Sequence, residues 1–255
     1  MYLKTMGLVL RETAYKDWDK LLTVLTAEHG KMTLRARGVR RNGSPLKAAC
    51  QLLACGEFTI QEYQGICTIQ EAQSVELFTE LRCELELLSL GTYFAQVAEL
   101  LSQEDAPSPE LLSLTLNSLY ALSRLRCPQL VVKSAFELRS ACLSGFAPDL
   151  TGCQSCGAPN PDRFALSDGG LQCANCHCGE SIRMPITESV LQAMRYICSC
   201  TPDKLFSFRL GEASLRMLNG ITESYLSTQL ERSFSALDFY KSLFFTPFQE
   251  FNQRT

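Results

Sequence analysis

Two histidines in 255 residues leave this sequence short of the side chain most often used for proton transfer near neutral pH. It also has no His-Glu-x-x-His segment, no His-x-Glu upstream of a Pro-Cys-x-x-Cys, no glycine loop followed by Lys-Ser/Thr and no Gly-x-Ser-x-Gly elbow. These absences argue against zinc proteases, zinc deaminases, P-loop NTPases and α/β-hydrolases, and the expectation is a protein that is not an enzyme. A long hydrophobic run is missing too. Met1 to Thr13 alternates apolar and polar residues, with neither a secretory core nor a membrane span, so a cytoplasmic location without membrane contact is expected. Cysteine is abundant, at thirteen, but an odd count in a large chain with no signal peptide argues for reduced thiols rather than a disulfide scaffold. Cys50, Cys55, Cys67, Cys83, Cys127 and Cys142 are expected to be small buried hydrophobes.

The net charge of -3 conceals an uneven distribution. Residues 1 to 47 hold ten Lys/Arg against four Asp/Glu, and residues 48 to 255 hold fourteen against twenty-three. A surplus of six at the front beside a deficit of nine behind is what a module for an anionic ligand attached to a scaffold displays. The same front segment has a period close to two. Five runs, Gly7 to Glu12, Leu21 to Thr26, Met32 to Val39, Glu57 to Tyr63 and Ile66 to Glu71, predict strands, with turns at His29-Gly30 and Gln64-Gly65. Five short strands in about 70 residues suit a small closed barrel, and the OB-fold is the nucleic-acid-binding type of that size.

After Ser74 the period becomes helical, with Leu77, Phe78, Leu81, Leu85, Leu88, Phe94, Val97, Leu100 and Leu101 at three- and four-residue steps. Further helices are predicted over 111–125, 129–143, 187–197, 215–230 and 236–244, the first of these opened by Ser108-Pro109-Glu110. The fold class is therefore α+β: an OB-fold domain at 1–76, then an all-helical domain at 77–255 into which a cysteine-rich segment at 150–183 is inserted.

That segment carries the most specific signal. Cys153-x2-Cys156, sixteen residues, then Cys173-x2-Cys176 matches the ligand spacing of a tetrahedral structural zinc site, one Zn2+ bound by four thiolates. The polar, glycine-rich stretch around it cannot form a core without such a staple. Phe164, Gly169-Gly170 and Leu171 predict a short hairpin that returns the second pair to the first. His177 and Cys178 crowd the second pair as alternative ligands to Cys176, although neither keeps the two-residue gap.

For the anionic ligand, Lys31, Arg35, Arg37, Arg40, Arg41 and Lys47 lie within seventeen residues that contain no acid. Arg35 and Arg37 are expected side by side on one strand face, and Arg40-Arg41-Asn42-Gly43-Ser44 to form a flexible basic loop, both suited to phosphate oxygens. In the loop between the first two strands, Tyr15, Lys16, Trp18 and Lys20 set two aromatics among cations, where OB-folds contact oligonucleotides. Trp18, the only tryptophan, either stacks on bases or closes one end of the barrel.

Val9-Leu10-Arg11, Tyr15, Asp19, Leu22, Thr26, His29-Gly30-Lys31 and Gly38-Val39-Arg40-Arg41 with Ser44 resemble the N-terminal signature of the bacterial RecO family of DNA repair proteins. Gly145-Phe146, Pro148, Leu150, the four cysteines, Gly157, Phe164 and Gly169-Gly170 are similar to that family's knuckle segment, so the resemblance covers nearly the whole chain. One departure is Lys16-Asp17-Trp18, where family members more often carry a small or acidic turn. The resemblance implies a nucleoid-associated recombination mediator that binds single- and double-stranded DNA and anneals complementary strands. It further implies work with RecR to load RecA onto DNA coated by single-strand binding protein, with zinc as a stabilising feature. A groove of the helical body would receive the acidic tail of single-strand binding protein, with Arg124, Arg126, Lys133 and Arg139 as candidates for its charged rim. Two other classes compete. One is a zinc-ribbon and OB scaffold of transcription or translation that binds structured RNA, and the other is a metal-dependent hydrolase, for which no general base is visible.

Overall fold

A computed structural model describes residues 2–125, 127–176 and 181–244. In chain order the elements are β1 (Tyr2–Tyr15), β2 (Asp19–Thr26), β3 (Gly30–Ala36), β4 (Cys55–Tyr63), β5 (Ile66–Glu76), α1 (Leu85–Leu101), α2 (Pro109–Ser123) and α3 (Gln129–Leu143). There follow β6 (Asp149–Cys153), β7 (Arg163–Ala165), β8 (Gly170–Gln172), β9 (Arg183–Pro185), α4 (Glu188–Ser199), α5 (Glu212–Leu230) and α6 (Ser235–Ser242). The fold class is α+β, as the periodicity predicts.

The first five strands close into a barrel in the order β1-β2-β3-β5-β4, which is OB-fold connectivity. The strand β1 is long enough to serve two partners. Residues 2–8 pair with β4 and residues 7–15 with β2, and a register shift between Val9 and Arg11 marks the bulge where the strand turns the corner. Val9, Leu22, Val24, Leu34, Ala36, Phe58, Ile60 and Ile69 fill the interior. Leu8 and Leu25 alternate with these inward positions and face outward, yet both are fully buried, because α1 lies against β1 and β2.

That packing bears on the boundary expected at residue 76. The chain divides into two compact units, one running up to Leu119 and resuming at Phe234, the other from Tyr120 to Ser233. Helix α1 and the returning α6 thus stand with the barrel rather than with the later helices. Tyr93 of α1 meets Phe234 edge to face at 5.3 Å, and the Gln96 amide donates to Ser235 Oγ.

In the second unit, α3 packs on α5 and α4, and a four-stranded sheet ordered β6-β8-β7-β9 carries the cysteine segment. The predicted hairpin is the β7–β8 pair, and β6 and β9 flank it. Phe164 of β7 is fully buried and meets Tyr225 of α5 edge to face at 5.2 Å, which fixes the sheet to the helices. Between α3 and α5 lies a buried charge cluster. Lys133 Nζ is 2.8 Å from both Glu137 Oε1 and Glu223 Oε2, and the Thr222 hydroxyl donates to Glu137. Burial pushes the Glu137 carboxyl above its ordinary pKa, opposed by the Lys133 ammonium.

All described cysteines are free thiols. Cys50 and Cys55 are buried, and burial raises both pKa values, Cys50 to about 12, as expected for inert core residues. The same expectation is corrected elsewhere: Cys83 is exposed, and Cys67, Cys127 and Cys142 are half-buried, with Cys142 Sγ 3.7 Å from Cys198 Sγ where α3 meets α4. Among the described residues, no helix is long and apolar enough to cross a membrane.

Candidate nucleic-acid interface and metal centre

The ten cations of the first 47 residues fall into two groups once the barrel forms. Lys4 pairs with Glu57, Arg11 with Glu99, Lys20 with Glu12 and Arg35 with Asp19, all at 2.6–2.9 Å. Lys31 is half-buried and donates to the Glu99 carbonyl at 3.0 Å. Lys16, Arg37, Arg40, Arg41 and Lys47 are exposed, and among the described residues none of these five enters an ion pair. Their charge is left facing solvent, where phosphate can reach it.

Two expectations about this surface are corrected. Arg35 and Arg37 do not both stand on β3: the strand ends at Ala36, Arg37 opens the following turn with its charge acting on Asp19, and the Arg35 guanidinium is committed to Asp19 at the start of the neighbouring strand. The stretch after Arg37 is not a loose loop either. Successive backbone bonds, Arg41 N–H to Gly38, Ser44 N–H to Arg41 and Lys47 N–H to Ser44, wind it into tight turns. Gly38 sits at φ +63°, in the left-handed region that a side chain makes costly.

These turns lie against the turn between β1 and β2. The Arg40 N–H donates to the Trp18 carbonyl at 3.0 Å, and the Gly38 N–H to Asp19 Oδ1 at 2.8 Å. Hydrogen bonding from Gly38, followed by the Arg35 guanidinium, holds the Asp19 carboxyl below its ordinary pKa despite partial burial. Trp18 is 52% exposed and Tyr15 37%, so both side chains reach solvent. Lys16 Nζ and the Arg35 guanidinium each lie 5.4 Å from the Tyr15 ring centre. Two rings and five free cations on paired turns can stack bases while contacting the backbone that joins them.

The cysteines of the knuckle converge in the second unit. The Sγ atoms of Cys153, Cys156, Cys173 and Cys176 all lie within 4.8 Å of one another, with Cys156 to Cys173 at 3.7 Å. Zinc–sulfur bonds of about 2.3 Å place tetrahedral thiolates about 3.8 Å apart, so the donor set fits one Zn2+. Each pair is shaped by a tight turn. The Gly157 N–H returns to the Cys153 carbonyl at 2.8 Å with Gly157 at φ +72°, and the Cys176 N–H returns to the Cys173 carbonyl at 3.0 Å. Backbone N–H groups, foremost that of Cys156, draw the Cys153 thiol down to about 6. Burial and the neighbouring thiols push Cys173 up to about 12, and hydrogen bonding with Cys156 and Cys153 pushes Cys176 up to about 11. Four thiolates crowded together repel, and a dication reverses that order by displacing the protons. His177 and Cys178 lie outside the described residues.

The expected charged rim on the helices does not form as a group. Lys133 is 1% exposed and enclosed by Glu137, Glu223 and Asn219, because a cation on the α3 face that meets α5 must be neutralised there. Arg139 is half-buried and donates to the carbonyls of Cys198 and Cys200, capping the C-terminal end of α4. Arg124 is exposed, and Arg126 lies outside the described residues. Sequence reasoning missed the acids that divide the basic segment into paired and free cations, above all Asp19. Its signal was available as a carboxylate between Trp18 and Lys20 in a strongly basic stretch.

Two family models account for nearly the whole chain: Recombination protein O N terminal over residues 1–78 and Recombination protein O C terminal over residues 82–238. The chain belongs to the RecO family. A DNA repair protein RecO of Acetivibrio thermocellus is 32% identical over 244 residues, covering 95% of this chain and 97% of the relative. Those of Alkaliphilus metalliredigens and Bacillus pumilus are 28% and 30% identical, covering 95% and 76% of this chain and 100% and 76% of theirs. Membership places the chain among DNA repair and recombination proteins, and the N-terminal RecO model ends just after β5 of the barrel.

Proposed function

We propose that this chain is a non-catalytic recombination mediator that binds single- and double-stranded DNA through the barrel and anneals complementary strands. The observation that carries this reading is the pair of turns, residues 15–19 and 37–47, on which five exposed cations that enter no ion pair among the described residues accompany the exposed side chains of Tyr15 and Trp18. Cations screen repulsion between two phosphate backbones and release condensed counterions, and stacking on aromatic faces is indifferent to sequence. Base edges stay free to pair, which is what annealing requires. In cells this activity serves RecA loading onto DNA coated by single-strand binding protein, in concert with RecR, in the cytoplasm at the nucleoid. Arg124 is the one described residue of the expected partner rim that remains a surface candidate.

Cys153, Cys156, Cys173 and Cys176 would hold one structural zinc ion, which supplies no chemistry beyond tying the two knuckle turns together. Around them this chain does its own positioning: the Ala174 N–H donates to Asp162 at 2.7 Å and the Arg183 guanidinium to the Cys176 carbonyl at 2.9 Å.

The test is annealing of two complementary labelled strands, naked and then coated with single-strand binding protein, with no nucleotide added. Acceleration in both conditions supports mediation. Failure to anneal together with tight binding of structured RNA would replace this reading with the RNA scaffold.

A further inference from the structure

A carboxylate on an anion-binding surface repels the ligand unless it does something else there. Asp19 sits amid the turns proposed to bind DNA, with its side chain 13% exposed. Both of its oxygens are engaged: Oδ2 accepts from Arg35 Nε at 2.9 Å and a second guanidinium nitrogen at 2.6 Å, and Oδ1 accepts the Gly38 N–H at 2.8 Å. Through Arg35 it reaches the Tyr15 ring, 5.4 Å from the guanidinium. Through Gly38 it reaches Arg40, whose N–H closes the circuit on the Trp18 carbonyl at 3.0 Å. The acid therefore joins the aromatic turn to the cationic turn, and Arg35, with which it pairs, has a side chain only 19% exposed.

We propose that Asp19 is a positioning residue for single-stranded nucleic acid: it withdraws Arg35 from the ligand and locks the 37–41 turn against the 15–18 turn, so that Arg37, Arg40 and Arg41 face the same strand as Trp18. This rests on the DNA-binding reading above. It makes a prediction opposite in sign to charge counting. Removing an acid from a basic surface should tighten binding to a polyanion and steepen its salt dependence by about 0.7, as one more cation becomes free. Removing a positioning acid should weaken binding and flatten the slope. At 0.1 M salt each phosphate contact on a single strand contributes about fivefold through counterion release, so misplacing one or two of the three arginines costs about 5- to 25-fold.

The experiment compares wild type, Asp19→Ala and Asp19→Asn for binding of a labelled oligothymidine across a salt series, with tryptophan emission of the free proteins recorded alongside. Trp18 is the only tryptophan, so its emission reports the turn directly. Asp19→Ala is expected to bind 5- to 25-fold more weakly with a shallower slope and a shifted emission maximum. Asp19→Asn keeps an oxygen for the Gly38 N–H but no charge for Arg35, and falls between the other two; it carries the same test should the alanine variant fail to fold. Binding by both variants as tight as wild type or tighter overturns the inference and leaves DNA binding standing. So does weaker binding with unchanged Trp18 emission. A wild-type chain that ignores the oligonucleotide removes the DNA-binding reading itself, and the inference with it.

Discussion

Replacing Arg37, Arg40 and Arg41 together with glutamine removes three of the five exposed cations that enter no ion pair among the described residues. Each cation that neutralises a phosphate on single-stranded DNA contributes about 0.7 to the slope of log affinity against log salt. The triple variant should therefore lose about two units of slope, so that raising salt from about 50 to 200 mM weakens wild type roughly 20-fold more than it weakens the variant. Lys20→Gln is the matched control, since Lys20 Nζ lies 2.8 Å from Glu12 and its charge is already compensated. Its slope should change by much less than that of one free arginine. Fluorescence anisotropy of a labelled oligonucleotide at four or five salt concentrations measures all three proteins. A triple variant with the wild-type slope would place the DNA surface elsewhere, and a Lys20→Gln effect as large as one third of the triple's would refute the sorting of cations into paired and free.

Three further outcomes follow from other parts of the molecule. Trp18→Ala should cost about 1–3 kcal/mol of single-strand affinity if the ring stacks on a base, and equal affinity in a direct titration would return Trp18 to a structural role. Zinc binding by the knuckle should release at least two protons near pH 7, because Cys173 and Cys176 are held at about 12 and 11, so chelator competition should show affinity rising about 100-fold per pH unit; a flat profile would dismiss the four-thiolate site. Lys133→Met leaves Glu137 and Glu223 without the ammonium 2.8 Å from each and should cost about 3–5 kcal/mol of stability in denaturant titration at pH 8. Because the Glu137 pKa is raised on folding, the folded state holds that proton more tightly than the unfolded chain. The Glu137 contribution is therefore fully present below its unfolded value of about 4.3 and is lost as pH rises through the folded value, so the penalty in Lys133→Met should shrink as pH is lowered from 8 toward that unfolded value. A pH-independent penalty would show that Glu137 does not carry it.

The barrel and the cysteine cluster were legible early because both rest on local rules. Period-two alternation from Met6 to about Gln73 specifies strands whatever they pair with, and five of them in so short a stretch have few ways to hide their edges except closure. Two Cys-x2-Cys turns need only to meet, and Phe164, buried against Tyr225, shows how the intervening strands bring them together. Even β-strand lengths were underestimated for a local reason: β1 reads as Gly7 to Glu12 by alternation alone but runs from Tyr2 to Tyr15, since it changes partner partway along.

What alternation, cysteine spacing and charge counts determined by themselves was the class of fold, the four cysteines that converge and the segment in which the cations concentrate. Only the tertiary structure decided which of those cations stay out of ion pairs. The sequence presents Arg35 and Arg37 as equals two residues apart, but pairing of β2 with β3 brings Asp19 to one and leaves the other in solvent. Lys133 and Arg139 likewise read as helix surface until α5 and α4 pack over them. An ion pair between residues sixteen positions apart, as Arg35 and Asp19 are, depends on strand register, and register is a property of the closed barrel.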